Sequence, residues 1–136
     1  KIINNEIHKL GLQDIVSVLG AKSDVYDRLC NYHIGLMCSK AEGFGRVTVE
    51  YMHAGLGVIA SNCGANPELI DDGEDGLLYD YGNTQMLAKC IERYYSNRNL
   101  LKKCASEGQS KAQNSFTKEL NASNIYRLYQ TVIWKK

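Results

Sequence analysis

Short apolar runs alternate along the chain with longer stretches in which apolar residues recur every three or four positions, the pattern of a sheet covered by helices. Ile2 to Leu10 has helical spacing and stops at Gly11. Ile15 to Leu19, where Ile, Val and Leu cluster between Asp14 and Gly20, predicts a strand. Ser23 is positioned to cap a helix through about Asn31, with Val25 and Leu29 four apart on its inner face. A second strand follows at Ile34 to Cys38, then a loop from Ser39 to Gly45. The next helix runs from about Arg46 to Ala54, with Gly55 supplying the left-handed end. Val58 to Ala60 is a third strand, too apolar to be exposed. The polar segment Asn62 to Ile70 carries the single proline, Pro67, in the first turn of a short helix. Asp72-Gly73 marks a turn, and Gly76 to Tyr79 a fourth strand. From there the pattern is helical only. Asn83 or Thr84 caps a helix to about Tyr95, a second spans Asn99 to about Asn114, and Thr117 caps a last one to about Trp134. Ile125, Leu128, Tyr129, Val132 and Ile133 give that helix a face to bury. Four strands joined by helices predict an α/β domain with a parallel sheet and right-handed crossovers.

Composition narrows the class. A chain of 136 residues with 44% hydrophobic and 23% charged positions reads as one soluble globular domain, long enough to bury a core without disulfide or metal staples. Sixteen Lys and Arg stand against fifteen Asp and Glu, with no block of like charge, so no footprint for a nucleic-acid backbone is present. The pairs Lys102-Lys103 and Lys135-Lys136 read as solvated helix ends. No apolar run approaches the ~20 residues of a membrane span, and no signal peptide precedes the first residue, so a cytoplasmic setting is expected. The chain opens on Lys1, which suggests a piece of something longer. Cys30, Cys38, Cys63, Cys90 and Cys104 lie at wide spacings without a C-x-x-C pair and read as reduced, buried thiols. His8 and His33 read as surface or helix-end residues and His53 as a packing residue. Asn121-Ala122-Ser123 matches a glycosylation acceptor by chance inside a helical pattern.

In an open α/β sheet ligands bind at the carboxyl ends of the strands, which is where Ser39 to Glu50 lies. Gly43 and Gly45 allow close backbone approach. The helix opening near Arg46 points free N–H groups and its positive dipole end outward, a combination suited to a phosphate or sugar oxygen. Glu42 precedes the glycine turn, and Glu50 lies eight positions on, about one turn inside the helix. A carboxylate accepting two hydrogen bonds matches the vicinal hydroxyls of a ribose or hexose. Spacing alone leaves the plainer alternatives open: a solvated loop residue for Glu42, and for Glu50 a carboxylate stabilised by the helix dipole.

The run Glu42-Gly43-Phe44-Gly45-Arg46-Val47-Thr48-Val49-Glu50-Tyr51-Met52-His53-Ala54-Gly55-Leu56-Gly57-Val58-Ile59-Ala60-Ser61 resembles the donor-binding signature of the retaining glycosyltransferases of family 4, or group 1. Gly64, Pro67-Glu68-Leu69-Ile70 and Asp72-Gly73-Glu74-Asp75-Gly76-Leu77-Leu78 continue the match. Leu10-Gly11-Leu12 through Gly20 looks like the segment upstream, and Phe116-Thr117 occupies the place of a C-terminal Phe-Ser turn. The resemblance covers nearly the whole chain. It implies that residues 1–136 are part of the C-terminal, Rossmann-like, nucleotide-sugar-binding domain of a two-domain GT-B enzyme, lacking that domain's first strands. Such an enzyme transfers a sugar, with retention, from a nucleotide diphosphate donor to a glycan or lipid-linked acceptor, without a bound metal or other cofactor.

By the matched positions, Glu50 would bind the ribose hydroxyls and Glu42, as the catalytic-site carboxylate, would contact the donor sugar. Backbone amides of Gly43, Phe44 and Gly45 would hold sugar or phosphate oxygens. Arg46 and Val47 would add contacts near the diphosphate, with a surface ion pair as the alternative for Arg46. Two departures stand out: Gly57 replaces the family's usual Pro, which loosens the turn, and His53 replaces a small residue. The acceptor-binding N-terminal domain, two strands that lie between the Ile15 and Ile34 strands in the family's sheet, and the Arg and Lys that neutralise the diphosphate are expected outside this chain. The chain alone is therefore expected to be inactive, and peripheral membrane contact is expected only of the intact enzyme. A non-catalytic nucleotide-binding remnant and a GT-B-type epimerase are the alternative readings.

Overall fold

The computed structural model describes residues 2–133. Three strands, β1 (Ile34–Met37), β2 (Gly57–Ser61) and β3 (Leu77–Tyr79), form one parallel sheet in the order β1-β2-β3. The register sets Leu36 beside Ile59 and Ile59 beside Leu77. All five residues of β2 are buried, as a central parallel strand covered on both faces requires. β1 and β3 are the edges among the described residues.

Among the described residues there are seven helices: α1 (Ile2–Lys9), α2 (Val25–Leu29), α3 (Arg46–His53), α4 (Asn66–Leu69), α5 (Thr84–Ser96), α6 (Arg98–Ser115) and α7 (Lys118–Ile133). Asn83 caps α5 by accepting from the Met86 amide at 2.9 Å, and Asn97 caps α6 by accepting from Leu100 at 3.0 Å. Thr117 does the same for α7 through Leu120, at 3.1 Å.

The alternation of β2 divides the core into two layers. Val58 and Ala60 face Met52 and Val49 of α3, Leu69, Ile70 and Ala112. Ile59 faces the other way, onto Cys90 and Tyr94 of α5 and Leu101 and Cys104 of α6. The eighteen residues of α6 thus serve both layers, its first half closing one and its second half the other. Close approach depends on small residues in the strands. A Cβ at Gly35 would stand 2.6 Å from Cγ of the Tyr51 ring, and one at Gly57 would run into Leu101 and come within 3.1 Å of Tyr94. Tyr94 reaches through this gap to donate to the Val58 carbonyl at 3.3 Å. Burial, helped by the neighbouring Cys104, holds its phenol far above the usual range. Gly57 also donates its amide to the His33 carbonyl at 2.9 Å. The expectation of a loosened turn is therefore corrected: Gly57 is a tight packing position.

Other expectations are corrected as well. Ile15 to Leu19 forms no strand; the sheet has three strands, and Ile15 is 80% exposed. A strand exists only against a hydrogen-bonding neighbour, and no described strand lies beside this segment. Asp24, not Ser23, stands before α2, which is only five residues long. Asp24 makes no side-chain cap but pairs with Arg28 at 2.8 Å, and Val25 is exposed. None of the α7 residues is buried, so the apolar stripe from Ile125 to Ile133 faces open space. Trp134 and the Lys135-Lys136 pair lie outside the described residues. All five cysteines are free thiols, yet Cys30 and Cys38 are exposed and Cys63 half-buried; only Cys90 and Cys104 are core residues. Burial pushes both core thiols above the ordinary thiol value, which keeps them protonated and unreactive. Lys102 and Lys103 lie within α6 rather than at a helix end, and Lys103 pairs with Glu74.

The loop between α4 and β3 is clamped by one cation. Lys111 reaches from α6 to Asp75, whose side chain is 7% exposed, at 2.7 Å, and to Asp71 at 2.8 Å. Asp75 in turn accepts from the Asp71 amide at 2.8 Å. The hydrogen bond from Lys111 holds the Asp71 carboxyl below its usual value. Partial burial pushes the Lys111 ammonium down, but its two carboxylate partners outweigh this and its pKa is raised. The ion pair is therefore complete from above the ordinary carboxylate range to beyond the ordinary lysine value. Lys111→Met should destabilise the fold at pH 7 by about 1–2 kcal/mol, less than a fully buried pair because Lys111 is partly in water. In thermal unfolding, the gap between wild type and variant should narrow as pH falls from about 5 to 2, where Asp71 takes up its proton. A gap that stays constant over that range would show that the pair contributes nothing to stability.

Candidate functional site

The site is the carboxyl end of the sheet, where the chain leaves β1 at Met37 and β2 at Ser61. The segment from Cys38 to Gly45 is held from below by a buried polar network. Asn66, with no exposed surface, donates its amide to the Ser61 carbonyl at 3.1 Å and to Ser61 Oγ at 3.4 Å. It accepts from Thr48 Oγ1 at 2.8 Å, and Ser61 Oγ donates to the Ser39 carbonyl at 2.6 Å. Five side-chain and backbone groups from four residues thus join the ends of both strands, the first turn of α3 and the start of α4. No buried side-chain polar atom among the described residues is left without a partner.

Two glycines make the geometry possible. Gly45 is the residue before α3 and lies at φ 77°, where an added Cβ would also stand 2.6 Å from Leu69 Cδ1. Having no side chain, it leaves the first-turn amides at Arg46, Val47 and Thr48 without a side-chain cap. Gly64 lies at φ 57°, and a Cβ there would stand 2.5 Å from the Glu42 amide nitrogen. This approach lets Ala65 donate to the Glu42 carbonyl at 3.1 Å, so the backbone of Glu42 is fixed by the loop that follows β2. Gly43, by contrast, faces open space.

The predicted side chains fall as follows. Glu42 is half-buried at the mouth of the loop. Glu50 lies one turn into α3 with its side chain 46% exposed, lining a cleft of about 320 Å³ with Ser23, Val25, Tyr26 and Leu29. Arg46, 84% exposed, takes the surface-pair alternative: its Nε lies 3.9 Å from Glu50 Oε1 along the helix. Such a pair is worth only a few tenths of a kcal/mol, so it orients Glu50 without neutralising it. Val47 is also partly exposed. Phe44 packs edge-on against Phe116, with ring centroids 6.3 Å apart, tying the glycine loop to the junction of α6 and α7. The end of α3 is tied there too, because His53 Nε2 lies 3.5 Å from the Phe116 carbonyl. His53 is therefore a half-buried packing residue, as expected. No hydrogen bond or ion pair joins Glu42 to Glu50 among the described residues.

Sequence reasoning missed Asn66, Thr48, Ser61 and Ser39, because polar residues in a glycine-rich stretch look like loop. The available signal was that Ser61 ends a fully apolar strand and Thr48 sits on the inner face of α3, positions where an uncapped hydroxyl needs a partner. Tyr79, at the end of β3, is a buried core residue; burial, aided by the adjacent Cys38 thiol, pushes its phenol up to about 12. It therefore stays a neutral hydroxyl at any ordinary pH. Among the described residues no three His, Cys, Asp or Glu side chains gather as a metal site, and no helix is long and apolar enough to cross a membrane. What remains at this end of the sheet is a loop with backbone donors, one helix N-terminus and two carboxylates, a combination suited to hydroxyls and anionic oxygens.

Residues 1–111 match the family model described as glycosyl transferases group 1. The N-acetyl-alpha-D-glucosaminyl L-malate synthase of Bacillus anthracis is 26% identical over 127 residues, 93% of this chain and 33% of that protein. The Anabaena protein Alr3699/HepE, solved in complex with UDP and with UDP-glucose, superposes with a TM-score of 0.88 at 29% identity. The match covers 95% of this chain and 36% of that one. A glycosyltransferase from Rickettsia africae superposes with a TM-score of 0.92 at 25% identity, covering 99% of this chain and 36% of its own. The chain thus spans about a third of the length of these relatives.

Asn66→Ala removes the amide without overpacking the site and leaves the Ser61 carbonyl and the Thr48 hydroxyl without their partner. It should lower stability by about 2–4 kcal/mol in urea unfolding. It should also raise amide exchange in residues 39–48 more than in α5. A uniform change across both regions would show that the network does not specifically hold the loop.

Proposed function

The chain belongs to the group 1 glycosyl transferases, and from that premise we propose that it is the donor-binding portion of a retaining glycosyltransferase, taking a nucleotide diphosphate sugar at the carboxyl end of its sheet. The observation that carries this reading is the placement of Glu50. Its carboxylate is half in solvent, one turn from an uncapped helix N-terminus, and lines a cleft wide enough for a nucleoside. Glu50 binds the ribose diol through both oxygens. The uncapped turn at Arg46 and Val47 meets diphosphate oxygens, and the amides of Gly43, Phe44 and Gly45 meet oxygens of the sugar. Glu42, held at the backbone by Ala65, contacts the donor sugar itself. The nucleotide-bound structures of the Anabaena relative support a nucleotide-sugar ligand for this surface.

In this reading, the diphosphate leaves as positive charge builds at the anomeric carbon. The chain contributes positioning and a share of the leaving group's stabilisation, with no metal or other cofactor. Cationic side chains for the diphosphate come from the first part of this same domain, which lies outside residues 1–136, and the acceptor-binding surface comes from an N-terminal domain of the intact enzyme. The acceptor is a glycan or a lipid-linked acceptor, and the setting is cytoplasmic, with membrane contact only at the periphery.

Titration of the protein with UDP-, GDP- and ADP-sugars should single out one preferred donor. Glu50→Ala should weaken that donor roughly ten- to a hundredfold, the loss of two charge-assisted hydrogen bonds worth about 1.5–3 kcal/mol. Equal affinity in the variant would remove Glu50 from the ribose. In a radiolabelled transfer assay the purified chain should show no turnover with any donor; measurable transfer would refute the assignment of essential groups to parts of the enzyme outside residues 1–136.

A further inference from the structure

A second cleft lies at the opposite, amino-terminal edge of the sheet. It holds about 430 Å³ between the turn before β1, the turn before β2 and the first half of α6. His33 precedes β1 and Gly55 precedes β2, whereas Glu42 and Glu50 follow the carboxyl end of β1. The strands alone separate the two sites by roughly 13 Å. Leu101, Ala105 and Gly55 make an apolar floor, Tyr32 makes one wall, and the polar groups facing the space are His33, Arg98 and Lys102. No Asp or Glu lines it.

The charge distribution on α6 sets this cleft apart. That helix carries four cations, and two of them are neutralised: Lys103 by Glu74, and Lys111 by Asp71 and Asp75. The other two, Arg98 and Lys102, are one turn apart at the cleft and belong to no ion pair among the described residues. Arg98 is nevertheless not loose. Its guanidinium lies over the Tyr95 ring, 5.1 Å from the centroid, which restrains it while leaving its N–H groups free to donate. A protein with a net charge of only +1 thus sets two unpaired cations side by side over one apolar floor. Such a combination matches an anionic head on a body with an apolar face. A bare phosphate would leave most of the volume empty.

We propose that this cleft binds a phosphate group carried on a small organic body, held by Arg98, Lys102 and His33 over the Leu101 and Ala105 floor, independently of the donor site. The phosphate comes either from a soluble sugar phosphate or from an anionic lipid headgroup. Amide spectra of the 15N-labelled full chain would be followed during titration with glucose 6-phosphate. In parallel, flotation would be measured with vesicles of pure phosphatidylcholine and of phosphatidylcholine containing phosphatidylglycerol. Saturable shifts centred on Gly55, Lys102 and Ala105, weakened at least tenfold in Arg98→Gln/Lys102→Gln and unchanged in Glu50→Ala, would establish the site with a soluble ligand. Flotation only with phosphatidylglycerol, abolished by the same double substitution, would establish it with a headgroup. Both side chains are exposed, so circular dichroism of the double variant should match wild type. The proposal fails if neither probe binds, if binding survives the double substitution, or if the shifts fall on Arg46 to Thr48 instead.

Discussion

A primary amide cut off from water is tolerable only with its hydrogen bonds made, and Asn66 makes its own across three different pieces of chain. Through Ser61 it fixes where β2 stops, through Thr48 it fixes the rotation of α3, and through Ser61 and Ser39 it fixes how the chain leaves β1. The positions of Gly45, Arg46 and Glu50 follow from the rotation of α3. The position of Glu42 follows from the loop that α4 anchors through Gly64 and Ala65. The loop at the carboxyl end of the sheet can therefore be exposed and glycine-rich without being ill-defined, because its order is set one layer below by the buried side chains of Asn66, Thr48 and Ser61.

This arrangement also explains what the two departures from the family pattern do. Gly57 is not a weakened turn, since its missing side chain is what allows Leu101 and Tyr94 to close over the start of β2. His53 is spent on structure at both ends. Its carbonyl receives Gln109 at 3.0 Å and Tyr26 at 3.3 Å, while its ring faces Phe116. Neither residue reaches the ligand surface, and both tune how α3 and α6 sit beside it.

The parts of the fold legible in the sequence were those whose stability is local. The helix from Arg46, the Asn83 cap, the turn at Asp72-Gly73 and the short apolar strand β2 each carry their cause within a few residues, and each appears where the pattern sets it. The group 1 resemblance was likewise carried by a contiguous run. Ile15 to Leu19 and α7 read differently because an apolar pattern states that a surface needs covering and not what covers it. The cysteines misled for a related reason: residue type predicts average burial, whereas Cys38 sits one position past the last paired residue of β1, where the sheet ends. The Asn66 network was illegible because its members are spread from Ser39 to Asn66 and become neighbours only when two parallel strands pair.

The outer edge of β1 has a consequence of its own. Alternate residues of this four-residue parallel strand present N–H and C=O groups on that side with no strand partner among the described residues, with Leu36 exposed beside them and the apolar residues Val16, Val18 and Leu19 elsewhere on the surface. No proline or lysine interrupts the strand. An edge of this kind accepts a strand from any chain that offers one, including another copy of itself. The strands that the family resemblance sets outside residues 1–136 belong beside β1 in this reading, so backbone-to-backbone association is a hazard of the isolated piece and is suppressed wherever those strands are present.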